Sequence, residues 1–310
     1  MRVIVLGAAA GGGFPQWNSR SVGCVRARAG DAAAEPRSQA SIAVSSDGRS
    51  WFLLNASPDL RQQINACRAL HPRAGLRSSP IGGVVLTGSD VDAIGGLLTL
   101  REGHAFAVYA TAKTLRVLDD NPVFEVLDRR LVARRGLALD EEVALTGAAG
   151  EEGGQGSGLC VEAFAVPGKV PLYLEQPGQT PPIIEGEETV GLAVSDGRSR
   201  MFFVPGCAAM TEGLRARLRN AAVVLFDGTL WTDDEMISGG LGAKTGRRMG
   251  HMSVSGPVGT MAAFDGLNVR RKVLIHINNS NPVLLADSAE RAAAAAAGWE
   301  VAFDGMEIEA

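Results

Sequence analysis

The stretch Thr87-Gly88-Ser89-Asp90-Val91-Asp92-Ala93-Ile94-Gly95-Gly96 constrains this chain more than any other. It follows Val84-Val85-Leu86, which reads as a buried strand. It leads into Leu97-Leu98-Thr99-Leu100, which reads as the start of a helix reaching about Arg101. A strand, a loop with two carboxylates and a helix, in that order, indicate an α/β protein, whose chemistry gathers beyond the carboxyl ends of its strands. In an extended segment Asp90 and Asp92 share one face. Two carboxylates that close repel unless a cation or a proton stands between them. Metal ligation or acid–base work is one reading of the pair. The plainer one is a solvated loop with Asp92 capping the next helix.

The rest of the chain repeats one style of architecture. Residues 3–6 form an apolar run ahead of Gly11-Gly12-Gly13 and read as a first strand entering a turn, because the run is too short for a signal peptide. Residues 41–44 and 51–55 flank Ser46-Asp47-Gly48, a hairpin turn, and residues 190–194 and 201–204 flank a second one at Asp196-Gly197. Pro58 is placed to open a helix over 58–69 with Ser57 as its N-cap. A strand at 107–109, helices at 112–118, 211–219 and 258–264, and buried strands at 222–226 and 272–277 follow. Asp287 or Ser288 caps a last helix through the alanine run at 292–297. With 310 residues and 46% hydrophobic content, the core is ample for one large domain. Two halves of this kind predict two sheets covered by helices, a single αββα sandwich over 1–310. Only the glycine-rich segment near 148–158 interrupts it, as a flexible loop.

Several polar residues sit where a site belongs. Asp227 ends the apolar run Val223-Val224-Leu225-Phe226, and as an alternative is an ordinary turn residue. His251 lies beside Gly250, and either faces solvent or ligates. His276 ends Val273-Leu274-Ile275, with the amides of Asn278 and Asn279 just beyond to orient a substrate or an imidazole. His71 and His104 read as structural. Gly11-Gly12-Gly13 lacks both the G-x-G-x-x-G spacing and the Walker lysine, so it reads as a close-packed turn or pocket wall. The net charge of −4 gives no electrostatic case for nucleic acid. No apolar run is long enough for a membrane helix. Cys24, Cys67, Cys160 and Cys207 are scattered without C-x-x-C spacing, which speaks against a disulfide framework and fits a reducing cytoplasm.

The spacing at 87–96 resembles the metal motif of the metallo-β-lactamase fold, [ST]-H-x-H-x-D-H-x-x-G, with Gly88, Asp90 and Ala93 at the histidine positions and only Asp92 kept. Longer runs carry a more specific resemblance. They are residues 11–18 (GGGFPQWN), 54–63 (LNASPDLRQQ), 97–103 (LLTLREG), 166–172 (VPGKVPL), 205–208 (PGCA), 226–229 (FDGT), 244–246 (KTG), 249–251 (MGH) and 276–282 (HINNSNP). In order and over essentially the whole chain, these resemble the coenzyme PQQ synthesis protein B family of the metallo-β-lactamase-like superfamily. The resemblance implies an α/β fold, the αββα sandwich, and a role in making pyrroloquinoline quinone (PQQ). The implied chemistry is iron-dependent oxygenation, hydroxylating the tyrosine ring of a cross-linked Glu-Tyr precursor derived from the peptide PqqA. Implied partners are that small-molecule precursor and other proteins of the pathway, with neither nucleic acid nor a membrane. An older proposal for the family is transport of PQQ or its precursor, against which the lack of membrane segments argues.

Carried over position by position, the resemblance makes Asp92, Asp227, His251 and His276 the metal ligands, with Fe(II) as the ion. Asp90, Asp92 and His276 are the catalytic set, and Asp90 and Asp227 are either ligands or their supports. Arg101, Lys244, Asn278 and Asn279 meet the substrate's carboxylates and phenol. Two departures stand out. The family's Cys-x-Cys-x-x-Cys after Trp17-Asn18 is Ser19, Ser21 and Cys24 here, and a hydroxyl is a poor zinc ligand beside thiolate, so the structural zinc is expected to be absent. Ala93 stands where the family has a histidine. Two histidines and one carboxylate are still the minimal set for non-haem Fe(II). The alternative is a catalytically impaired relative that binds or carries PQQ or its precursor. A two-metal hydrolase is disfavoured by the missing histidines.

Overall fold

In several strands apolar side chains occupy consecutive rather than alternate positions, which requires both faces of the sheet to be covered. The computed structural model describes residues 1–148 and 156–310 and has this form. The strands are β1 (Arg2–Gly7), β2 (Ser41–Ser45), β3 (Trp51–Leu54), β4 (Ile81–Val85), β5 (Phe106–Ala110), β6 (Val132–Gly136) and β7 (Glu142–Ala144). They continue with β8 (Cys160–Gly168), β9 (Ile184–Ser195), β10 (Arg200–Val204), β11 (Val223–Asp227), β12 (Arg271–Ile275), β13 (Trp299–Val301) and β14 (Glu307–Glu309). Among the described residues they form two sheets, ordered β14-β1-β2-β3-β4-β5-β6 and β13-β12-β11-β10-β9-β8-β7.

Each sheet begins with antiparallel pairs and turns parallel, from β3 to β6 in one and from β10 to β13 in the other. Parallel neighbours need crossovers, and helices such as Ala112–Asp120 and Glu212–Leu218 supply them. Alternation within single strands sorts the side chains into three cores. Val3, Val5, Ile42, Phe52, Leu192, Phe203, Leu225 and Ile275 pack between the sheets. Ile4, Leu6, Trp51, Leu53 and Val108 face one helical layer with Leu60, Leu97 and Leu118. Phe202, Val224, Phe226 and Leu274 face the other with Leu214, Leu218 and Phe264. The layers run helix, sheet, sheet, helix, as expected. No helix among the described residues is long and apolar enough to cross a membrane.

The sheets come together where β1, β4, β11 and β12 end. Ala9 bridges Ile277, Ala10 N–H donates to the Ile277 carbonyl at 2.8 Å, and Val190 N–H donates to the Thr87 carbonyl at 2.9 Å. This puts the carboxyl ends of strands from both halves of the chain around one opening.

Local differences from the sequence reading have physical causes. The helix expected over 58–69 begins at Leu60 and stops at Ala66, followed by a 3₁₀ turn. Ser57 does not cap it: its hydroxyl donates to Gln63 Oε1 at 3.0 Å. After Asp92 there is a single α-turn, Val91–Ile94, and then 3₁₀ helix over Gly95–Leu100. Gly96 lies so close to the β3 exit that a Cβ there would come within 2.1 Å of the Ser57 carbonyl. The expected 258–264 helix is reduced to Thr260–Ala263. Strands β6, β7 and β14 have no clear apolar pattern and escaped the sequence. The flexible loop expected near 148–158 falls largely on residues 149–155, outside the described residues.

Candidate metal centre

Two strand ends and two short helices build the site. Asp227 is the last residue of β11 and is fully buried. His276 follows β12 with left-handed backbone, φ +58°, an uncommon conformation for a residue with a Cβ. His251 follows the helix Gly246–Met249, which ends at Gly250 with φ +95°, as glycine allows at a helix C-terminus. Asp92 lies in the first turn of Val91–Ile94, with Asp90 at its N-cap position. The two aspartates are therefore not alternate residues of an extended segment, as the sequence suggested. A helical turn brings both to the same cleft. Neither caps the helix by a side-chain hydrogen bond to its first turn.

The tertiary structure gathers residues that are 184 positions apart. His276 Nε2 lies 2.8 Å from Asp92 Oδ2. His251 Nδ1 lies 2.7 Å from Asp227 Oδ2. The two imidazoles stack at 5.2 Å between ring centroids with planes 20° apart. Asp227, His251 and His276 each offer a ligand atom, all within 4.8 Å of one another. Between them sits Thr229 Oγ1, 2.6 Å from Asp227 Oδ1, 2.9 Å from His276 Nδ1 and 3.1 Å from His251 Nδ1.

The charges are shifted as such crowding demands. Burial pulls the His276 pKa down, but the hydrogen bond and charge of Asp92, then the charges of Asp227 and Asp90, outweigh it and leave it above the ordinary value. Burial pushes Asp92 up, and the hydrogen bond from His276 and the charges of both histidines more than offset this, leaving it low. Asp90 reaches solvent, yet desolvation in the cleft and then the Asp92 charge raise its carboxyl.

The centre is flanked by two cavities. An inner one of about 150 Å³ is lined by Ala40, Asn55, Thr87, Gly88 and Ala93, and an outer one of about 550 Å³ by Gly11, Gly12, Tyr173, Met236, Lys244 and Asn278. Asp90, Asp92, Lys169, Met249, His251 and His276 line both. Of the expected substrate residues, Lys244 and Asn278 face the outer cleft. Arg101 lies outside both cavities: it is exposed, donates to the Leu98 carbonyl at 2.7 Å and pairs with Glu102. Helix Val91–Ile94 and the 3₁₀ stretch after it carry it away from the strand ends. Asn279 turns the other way too. It donates to Gln16 Oε1 at 2.6 Å and accepts from Cys24 Sγ at 3.4 Å. In the same corner Ser21 caps the helix Val22–Arg28 by accepting from Cys24 N–H, and Ser19 Oγ accepts from Ser21 N–H at 3.2 Å.

Three cleft residues escaped the sequence reading. Thr229 was visible only as part of the turn Asp227-Gly228-Thr229. Lys169 and Tyr173 lie in a connection without periodicity, where nothing local reveals what they face. Tyr173 donates its hydroxyl to the Ser89 carbonyl at 2.6 Å. Glu175 binds Lys169 at 2.9 Å and Arg248 by two bonds of 2.8 and 3.1 Å, tying the connection after β8 to the helix that precedes His251.

Comparison with known proteins accords with this geometry. Residues 50–277 match the family described as a beta-lactamase superfamily domain. Coenzyme PQQ synthesis protein B of Gluconacetobacter diazotrophicus is 62% identical over 306 residues, covering 99% of this chain and 98% of that protein. The protein of the same name from Xanthomonas euvesicatoria is 52% identical over 308 residues, 99% of each. The crystal structure of Zn(2+)-bound PqqB from Methylobacterium extorquens superposes with a TM-score of 0.94 at 50% identity and full coverage of both chains. A diphosphatase of the PhnP family, 19% identical with a TM-score of 0.67 over 99% of this chain and 97% of that one, shares the fold.

Proposed function

The chain belongs to the coenzyme PQQ synthesis protein B family of the β-lactamase superfamily, with a role in PQQ biosynthesis, and we propose that it acts there as an iron-dependent oxygenase on the tyrosine ring of the PqqA-derived Glu-Tyr precursor. The observation that carries this reading is the pairing of His276 Nε2 with Asp92, beside a second imidazole whose Nδ1 is already engaged. Two histidines and a carboxylate at the wall of an open cleft suit Fe(II) while leaving positions for other ligands.

Asp92, His276 and His251 would hold the ion, with Asp90 beside them. Asp227 is better suited to orienting than to ligation. Its Oδ1 accepts from Thr229 N–H and O–H, and its Oδ2 accepts from Cys207 N–H at 2.9 Å and from His251 Nδ1. A carboxylate has about four lone-pair sites, and these contacts use them. Carboxylate-to-imidazole bonds of this kind fix the ring and raise its basicity as a ligand. When bound, the iron supplies the O₂ chemistry. The protein binds and orients the substrate: Lys169 and Lys244 offer ammonium groups to carboxylates, Asn278 offers an amide, and Tyr173 and Met236 offer surface to an aromatic ring.

Ala93 motivates the competing reading of an impaired relative, and one experiment decides between them. The protein and its Ala93→His variant are reconstituted anaerobically with Fe(II), analysed for metal, and given the precursor with O₂. Near one equivalent of iron and hydroxylated product from the natural chain are expected. Iron in neither protein removes the oxygenase reading. Iron and turnover in the variant alone make the natural chain a binding or carrier form.

A further inference from the structure

Thr229 Oγ1 touches four polar atoms. Two are acceptors only: Asp227 Oδ1 at 2.6 Å and the His276 carbonyl at 2.9 Å. The other two are ring nitrogens, His276 Nδ1 at 2.9 Å and His251 Nδ1 at 3.1 Å. A hydroxyl has one proton and two lone pairs. Its proton goes to one of the two acceptors that can do nothing else, and the short contact to Asp227 takes it. The imidazoles must then donate to the hydroxyl's lone pairs. His251 Nδ1 has Asp227 Oδ2 as a nearer acceptor, at 2.7 Å. For His276 Nδ1, the Thr229 hydroxyl is the partner.

We infer that Thr229 is a positioning residue that holds the His276 ring by accepting from Nδ1–H, so that Nε2 stays turned towards Asp92, where a metal would replace the proton the two now share. The residue's location explains why it does this for a ring with left-handed backbone. Asp227 and Gly228 carry the chain out of β11, and Asn278 N–H donates to the Thr229 carbonyl at 3.0 Å. Residue 229 is therefore tied to 276–278 by backbone as well as side-chain hydrogen bonds. Deleting the hydroxyl leaves His276 Nδ1 without its partner, and the ring gains freedom to turn Nε2 away from Asp92.

The consequence for metal binding rests on the oxygenase reading above. The hold on the ring does not, and the test separates the two. Long-range ¹H–¹⁵N spectra of the four histidines are recorded on the metal-free protein, on Thr229→Val and on Thr229→Ser, and Co(II) binding is titrated by its visible absorption. The expected result is a His276 Nδ1–H protected from solvent exchange in the natural protein and in Thr229→Ser, and loss of that protection in Thr229→Val. Co(II) affinity should fall at least about tenfold in Thr229→Val and recover in Thr229→Ser. An unchanged His276 ring spectrum and Co(II) affinity in folded Thr229→Val overturns the inference. If Thr229→Val does not fold, the natural protein's spectrum decides: a His276 protonated on Nε2 alone overturns it. Should the natural protein take up no Co(II) or Fe(II), the oxygenase reading fails, and the ring spectra still decide the role of Thr229.

Discussion

His276 Nε2 and Asp92 Oδ2 meet at 2.8 Å across the opening between the two sheets, joining a residue at the end of β12 to one on the short helix beyond β4. That contact brings the two halves of the chain together at the site. Asp92→Asn keeps the shape and removes the charge. Fe(II) affinity, measured by anaerobic titration, should fall by at least about 100-fold, the upper end of what loss of a mere supporting group costs. Retention of full affinity would place the ion elsewhere.

Asp227 bears on stability as well as on the site. Replacing it with alanine strands the buried Cys207 and Thr229 N–H groups and the His251 ring together. Each buried donor left without a partner costs roughly 1–3 kcal/mol, so Asp227→Ala should lose about 3 kcal/mol or more in urea unfolding. A loss below about 1 kcal/mol would mean that these groups find other partners.

Gly96 is set by packing rather than by chemistry. Its Cβ would lie 2.1 Å from the Ser57 carbonyl and 2.8 Å from that of Ala56, both backbone atoms that cannot swing aside. Gly96→Ala should destabilise by about 2–3 kcal/mol, typical of forced overpacking, and should weaken Fe(II) binding by shifting Asp92. Gly103→Ala is a poor control because its φ is +75°, whereas Gly136 has open space at its Cβ and ordinary backbone; Gly136→Ala should leave both properties unchanged.

The Glu175 tie has a pH signature. Hydrogen bonds from Arg248 and then Lys169 hold its carboxyl at about 2, below the ordinary value for a glutamate. The folded pKa lies below the unfolded one, so the contribution is complete above the unfolded value and vanishes as pH falls through about 2. The stability difference between the natural protein and Glu175→Gln should therefore be constant from pH 7 to about 5 and shrink steadily towards pH 2. Thermal unfolding of both proteins across this range tests it. A difference that stays constant down to pH 2 would show that the charge is not what ties the segment.

The framework was legible because burial on both faces leaves a local mark. Residues 3–6, 84–86, 223–226 and 273–275 are apolar without interruption, and the turns at Asp47-Gly48 and Asp196-Gly197 have the chemistry of tight hairpins. Strand β6 carries no such mark because Arg134 and Arg135 interrupt it, and in the short β7 and β14 a single side chain, Val143 or Ile308, meets a core. The helix expected from Pro58 forms but starts at Leu60, and Ser57, whose hydroxyl donates to Gln63, does not cap it.

The sequence by itself determined the αββα sandwich, the family, and Asp90, Asp92, Asp227, His251 and His276 as the residues to watch. These follow from patterns and runs that are local along the chain. Only the tertiary structure decided that Thr229 stands between two imidazoles, that Lys169 faces the cleft, and that Arg101 and Asn279 do not. Those are questions of direction at the ends of strands and turns. There a side chain's aim is set by the partners folding brings to it, such as His251 and His276 around Thr229 or Gln16 and Cys24 beside Asn279, and the chain's own periodicity carries no record of them.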